Sequence, residues 1–462
     1  DGGDYGGDTM KPYPDYFITP LPWLPNIPAH WELVRNKNIF EETKDVVGDD
    51  IDAYPLLSLT TKGIILRDVA SGKGKFPKDF NTYKIVKPGD MAFCLFDIDE
   101  TPRTVGLSQY NGMLTGAYTI FHVANINPHY AYYYYLSLDN VKAMRPLYSG
   151  LRKTINTGTF LSCKLPLPPR PEQDQIVRFL DWKVSSINKL IGVNQKQIEC
   201  LNEKLLTVVN DLLTHGVKQN RAYMKTNMDW ASEIPLEWEI SRVRNHFEIL
   251  KRIAGSEGFD VFSVTQQGLK VRNINLYEGQ LAANYSGYQF VYPGEFAMNH
   301  MDLLTGGVGI ADHLGVTSPD YRVFRLFDEE RCYAAYYLKI FQLCYRRHAF
   351  YRFGRGAANV GRWRLPASAF KNFEIPLPPY DEQIEIVRAI EIEEHKIKTV
   401  IDCLQQEIDV LKEFKKRLIA DVVTGKIDVR GIEIPEYDLV EEDSDGESEE
   451  NTESMEGEMD EE

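Results

Sequence analysis

The chain has 462 residues, 43% of them hydrophobic and 12% aromatic, which is enough for two cored domains, and no apolar run approaches a membrane span. Formal net charge is −16, yet residues 441–462 carry thirteen Asp and Glu and no Lys or Arg, leaving −3 for residues 1–440. The body is therefore near neutral, and residues 431–462 read as an acidic disordered tail. The six cysteines form no CxxC pair, which favours buried free thiols over metal ligands or disulfides.

Residues 1–22 read as a flexible leader, with Met10 a natural start. From 23 to 165, short β-branched and aromatic runs (54–59, 83–86, 91–96, 118–123) alternate with Gly, Pro and Asp, as in a mixed α+β domain. Residues 130–136 make an aromatic helix whose rings belong to a core.

At Pro166-Leu167-Pro168-Pro169 the chain changes character. Proline opens a run and then vanishes, as at a helix start, and Glu172 sits where a helix N-terminus favours negative charge. Val177, Leu180, Val184, Ile187, Ile191, Asn194, Ile198, Leu201, Leu205, Val208 and Leu212 then alternate spacings of three and four, a sustained heptad seam. Residues 166–217 are thus predicted as one long-helix segment, of which 171–216 would span roughly 70 Å at about 1.5 Å per residue. A helix of that length with one apolar stripe needs a partner.

After a linker at 218–228, the second half repeats the first. Ile27 to Trp31 returns as Ile234 to Trp238, and residues 229–375 repeat the α+β pattern with runs at 288–292 and 321–326 and an aromatic helix at 333–338. Pro376-Leu377-Pro378-Pro379 with Glu382-Gln383 then opens a second long helix, 376–430, at a constant offset of 210. Its seam carries polar breaks at Glu394 and Lys415. The predicted fold class is α+β: two similar domains joined by two long α-helices in an antiparallel coiled coil, with an internal pseudo-twofold repeat.

Fragments that imitate catalytic motifs fail on their chemistry. Leu377-Pro378-Pro379-Tyr380 lacks the polar side chain with which an amino-methyltransferase turn holds its target. Gly354-Arg355-Gly356 has no strand-turn-helix context. Pro319-Asp320 lacks the downstream acid-x-Lys of a nuclease, and the histidines suggest neither a triad nor a metal site. The positive signal is electrostatic. Residues 331–373 are rich in Arg and aromatics without one Asp or Glu, and residues 140–171 are likewise acid-free. Guanidinium pairs bidentately with phosphate, which makes nucleic acid the leading ligand. The alternative is a basic face neutralised by acids of a packed domain. Candidate DNA-binding residues are Arg145, Arg152, Lys153 and Asn156 in the first half. In the second they are Gln266, Gln267, Lys270, Arg272, Asn273, Arg346, Arg347, Arg352, Arg355, Asn359, Arg362 and Arg364. Catalytic and metal residues: none.

The doubled Ile-Pro-x-x-Trp entries, Gly150-Leu151-Arg152-Lys153-Thr154-Ile155, the twin Pro-Leu-Pro-Pro-x-x-Glu-Gln openings and the closing segment from Val423 to Arg430 together resemble the DNA-specificity subunit of type I restriction-modification systems. The resemblance implies two target-recognition domains on two antiparallel helices, each reading half of an asymmetric bipartite double-stranded DNA target. It implies a non-catalytic, cytoplasmic bacterial or archaeal protein that binds no cofactor itself. S-adenosylmethionine, ATP and Mg2+ are then expected in partner subunits: methyltransferase subunits, two in number, and restriction/translocase subunits. Competing readings are a truncated single-chain DNA- or RNA-modifying enzyme and a coiled-coil scaffold that binds no nucleic acid.

Overall fold

In the computed structural model, residues 11–67, 80–149, 153–273, 284–356 and 363–441 are described. The candidates Arg152, Asn359 and Arg362, and the acidic run 442–462, lie outside them. Among the described residues the α-helices are α1 (Pro128–Asn140), α2 (Thr157–Ser162), α3 (Arg170–His215), α4 (Ala334–Arg346), α5 (Ala367–Asn372) and α6 (Tyr380–Val423). Both long runs are continuous helices, of 46 and 44 residues. The chain divides into two compact units, residues 1–196 with 404–462 and residues 197–403, so the division falls within α3 and α6 and each unit receives half of both.

Each unit holds an antiparallel four-stranded sheet in the same order. In the first it runs Phe40–Thr43, Thr119–Val123, Met91–Phe93, Val105–Leu107, and in the second Phe247–Leu250, Arg322–Leu326, Phe296–Met298, Val308–Ile310. One face of each sheet is closed by aromatic rings of a neighbouring long and short helix. Phe40, Phe93 and Phe121 meet Tyr135 of α1 and Phe160 of α2, while Phe247, Phe296 and Phe324 meet Phe341 of α4 and Phe370 of α5. These tilted and edge-on rings are fully buried, and their area makes them the main contributors to each core. The predicted aromatic helices are thus core, as their composition required.

The repeated motifs meet in space. Strand Lys164–Leu167 pairs with Glu32–Arg35, and Glu374–Leu377 with Glu239–Arg242, which carries the chain from each domain to its long helix. Proline then ends each strand, and the Gln side chain of the Glu-Gln pair folds back on the proline carbonyl. Gln173 Nε2 donates to Pro168 O at 2.8 Å, and Gln383 Nε2 to Pro378 O at 2.9 Å. Its Oε1 accepts from the backbone beside the aromatic helix, from Asn127 N at 2.8 Å and Tyr333 N at 2.7 Å. The adjacent buried glutamate receives the tryptophan of the Ile-Pro-x-x-Trp entry: Trp31 Nε1 reaches Glu172 at 3.0 Å, and Trp238 Nε1 reaches Glu382 at 3.2 Å.

Within each unit the long helices are antiparallel. In the first, Tyr130 Oη donates to Pro166 O just before α3 and to Val423 O at the end of α6. In the second, Tyr336 Oη donates to Leu213 O near the end of α3, and Tyr337 Oη to Pro376 O just before α6. The seam's polar breaks are accommodated differently. Lys415, 9% exposed, donates to Asn188 Oδ1 at 3.1 Å, whereas Glu394 leaves the seam to pair with Lys339 of α4 at 2.6 Å.

Three expectations change. Within the leader 1–22, Tyr16–Leu21 is a strand paired with Leu24–Pro28, and Tyr13 is buried with its Oη donating to Glu172 at 2.6 Å. Residues 431–441, grouped with the acidic tail on composition, are held along α3: Gln175 Nε2 donates to Val429 O and Ile432 O, and Asn188 Nδ2 to Val440 O. The cysteines are all free, but they are not all buried, since Cys200 and Cys403 are exposed on α3 and α6.

Candidate nucleic-acid interface

In the second unit, α4 delivers Arg346 and Arg347 at its end. The backbone then turns through His348 at φ 54°, and Arg355 and Arg364 follow in the same acid-free stretch. Arg355 and Arg364 pair backbone to backbone, N to O at 2.9 and 3.1 Å, so their side chains stand on a ladder of one residue pair, an isolated antiparallel β-bridge. Both are exposed, as is Arg346, and among the described residues none of the three has an ion-pair partner. The other candidates in the stretch are engaged. Arg347 Nη1 donates to Asn210 Oδ1 of α3 at 3.0 Å, and Arg352 pairs with Asp229 while its guanidinium lies 4.5 Å from the Phe353 ring centroid.

Gln266 and Gln267 form the tip of the hairpin between Asp260–Thr265 and Gly268–Val271, where Gly268 at φ 119° meets the turn's demand for a left-handed residue. Lys270 is exposed beyond the tip, and Arg272 N is held by Val261 O at 2.8 Å. Gln266 Nε2 reaches Thr305 O at 3.4 Å. Leu365 N in turn donates to His300 O at 2.9 Å. The loop 299–305 therefore gathers the hairpin tip and the Arg355/Arg364 ladder into one site. Asn273 ends the described hairpin segment and is exposed.

The first unit builds the corresponding place with opposite charge. Its loop carries Asp97, Asp99 and Glu100, and the candidate cations face it: Arg145 lies 3.8 Å and Lys153 3.6 Å from Asp99, and Lys153 also pairs with Glu100. Tyr148 Oη donates to Asp99 Oδ1 at 2.6 Å, and this hydrogen bond with the two cations holds the Asp99 carboxyl below the usual carboxylate range. Asn156 accepts from Gly158 N at 2.8 Å and caps α2. Arg145 and Lys153 are thus neutralised by acids of their own domain, not by those of a packed partner domain.

Sequence reasoning passed over two groupings. His246 Nδ1 lies 2.7 Å from Asp328 Oδ2 and its Nε2 lies 2.7 Å from Ser241 Oγ, with Cys332 nearby. His246 is buried and both its nitrogens are used, so it bridges a strand to the turn before α4; residues so far apart in sequence gave no signal. The second grouping is Arg322 with His300, each with a buried nitrogen that has no hydrogen-bond partner among the described residues.

Comparison with known proteins agrees with this geometry. Residues 104–199 match the family described as "Type I restriction modification DNA specificity domain". Over 441 residues the chain is 24% identical to a putative type I restriction enzyme MjaX specificity subunit of Methanocaldococcus jannaschii, covering 87% of this chain and 95% of that one. A type I restriction enzyme MjaVIII specificity subunit of the same organism is 24% identical over 432 residues, covering 88% and 95%. A chain from a structure described as the basis of complex assembly and conformational transition of the type I R-M system superposes with a TM-score of 0.60 at 12% identity, over 87% of this chain and 99% of that chain, a likeness of fold. Residues 104–199 thus match the type I specificity domain, and over 87% of its length the chain is similar to a type I specificity subunit. The resemblance drawn from its doubled motifs holds. No helix among the described residues is long and apolar enough to cross a membrane.

Proposed function

We propose that this chain is the sequence-specific DNA-binding specificity subunit of a type I restriction-modification complex, with residues 23–165 and 229–375 each reading one half of an asymmetric bipartite duplex target. The observation that carries the reading is the site in the second unit, where exposed Arg355 and Arg364 share a ladder beside a glutamine-tipped hairpin. Arginine forks there can hold phosphates while amide side chains present donor and acceptor to base edges. The corresponding loops differ, with Asp97, Asp99 and Glu100 in one unit and His300 and Asp302 in the other, and this difference supports an asymmetric target.

In this reading the chain positions chemistry performed by others. Methyltransferase subunits, two in number, supply the S-adenosylmethionine-dependent step, and restriction/translocase subunits supply ATP- and Mg2+-dependent cleavage, in the cytoplasm. Co-expression with the neighbouring methyltransferase gene and mapping of modified adenines in host DNA tests it. One bipartite motif is expected, and it should vanish when the chain is omitted. Modification that persists without the chain, or methyl transfer by the purified chain alone, would overturn the proposal.

A further inference from the structure

Arg322 is the first residue of the central strand Arg322–Leu326, opposite Met298, and only 5% exposed. No carboxylate pairs with it among the described residues. Its Nη2 donates to Leu365 O at 2.7 Å, its guanidinium lies 5.1 Å from the Phe370 ring centroid, and its buried Nη1 has no partner. The preceding peptide is held as well, since Leu365 N donates to His300 O, and His300 Nδ1 is a second buried nitrogen without a partner among the described residues. Two orphaned nitrogens, one on a permanent cation, therefore flank the root of exposed Arg364.

The repeat shows that the fold does not require them. Thr119 occupies the register of Arg322, opposite Phe93, and Leu95 occupies that of His300, its carbonyl accepting from Ile155 N at 2.6 Å just as His300 O accepts from Leu365 N. The same stitch closes with a threonine and a leucine. A buried guanidinium lacking a counterion is costly, and so is a buried nitrogen left without a hydrogen bond. A feature that the sister unit does without, and that costs stability, is explained by an anion that joins it from outside.

We infer that Arg322 and His300 form an anion subsite of the second unit that takes one backbone phosphate of the DNA duplex. Arg322 supplies the charge and two donors, His300 a further donor through its Nδ1–H tautomer, and Arg364 stands at the surface beside them. The inference rests on the DNA-binding reading above and adds to it a phosphate clamp that belongs to one half of the target only. Lys251, Arg322 and Arg364 all push His300 away from protonation, and burial does so most, so the imidazole contributes a hydrogen bond and no charge.

The test compares the full chain with Arg322→Met and His300→Leu, reading thermal melting and affinity for a random-sequence duplex across a salt series. Arg322→Met is expected to melt at or above the wild-type temperature, because it removes an uncompensated buried charge. It should bind the duplex about tenfold more weakly at low salt, with a log–log salt slope smaller by about 0.9, the value for one phosphate. His300→Leu should weaken binding and leave the slope unchanged. Sodium phosphate, against chloride at equal ionic strength, should raise the melting temperature of the wild type and not that of Arg322→Met.

An Arg322→Met protein that melts well below wild type would mark Arg322 as structural and overturn the inference. So would unchanged duplex affinity and slope in both variants, which would leave the DNA reading standing. Phosphate protection of the wild type that is lost in Arg322→Met, without duplex binding by either, would keep the subsite and remove the DNA reading instead.

Discussion

Arg347 and Arg355 are the same residue type in the same acid-free stretch, yet one is tied to Asn210 of α3 and the other stands on the one-pair bridge without an ion-pair partner among the described residues. Arg355→Ala and Arg364→Ala are each expected to weaken cognate and scrambled duplexes alike and to lower the salt slope by about one unit, whereas Arg347→Ala should leave the slope unchanged. Filter binding at three salt concentrations checks this, and an equal loss for Arg347→Ala would refute the assignment. A second prediction concerns His300, whose pKa burial lowers from 6.5 to about 4. Between those values the unfolded chain binds more protons than the folded one, so the contribution to stability is whole above pH 6.5 and is lost as pH falls toward 4. Melting temperature should decline over that window in the wild type, and the decline should be shallower in His300→Gln. Parallel profiles for the two proteins would show that His300 is not the group responsible.

At the scale of elements, the informative pair is the twin glutamates that start the long helices. Glu382 is buried against Arg221, whose side chain is 5% exposed, and against Trp238. Glu172 at the corresponding place receives neutral donors, Tyr13 Oη at 2.6 Å and Trp31 Nε1 at 3.0 Å, with His30 Nε2 at 2.8 Å. Removing charge from Glu382 leaves Arg221 with only the half-exposed Glu237 as its ion-pair partner among the described residues, so Glu382→Gln should cost about 2–3 kcal/mol. Glu172→Gln keeps one acceptor for donors that carry no permanent charge and should cost about 1–2 kcal/mol. Urea midpoints of the two variants decide the order, and equal losses would contradict it. The Glu-Gln pair was read in the sequence as a helix start favouring negative charge. Its larger role, gathering Trp, the proline turn and the aromatic helix, was not legible, because the tryptophans lie 141 and 144 residues away and the backbone beside the aromatic helices 46 and 50.

Over the whole molecule, the division of the chain into units cuts both long helices, so each recognition domain is built on half of α3 and half of α6. A recognition domain exchanged between such chains should then carry its half of the target with it. Transplanting residues 229–375 into a relative with similar helices is expected to change one half of the modified sequence and preserve the other. Adenine mapping that shows both halves altered would contradict independent reading.

The sequence by itself determined the duplication, the two long helices and the location of the basic stretches, because periodicity, proline punctuation and local charge are properties of neighbouring residues. It also identified the aromatic helices as core, since their rings have few other uses. Tertiary structure alone decided which cations are free. Lys153 and Arg145 are matched by Asp99 and Glu100 from a distant loop, and Arg352 by Asp229, whereas Arg355 and Arg364 remain unpaired among the described residues. It alone exposed Arg322, a residue that reads in sequence as one more charge in a strand. Whether a charge is solvated, paired or buried depends on which distant segments fold against it, and composition holds no record of that distance.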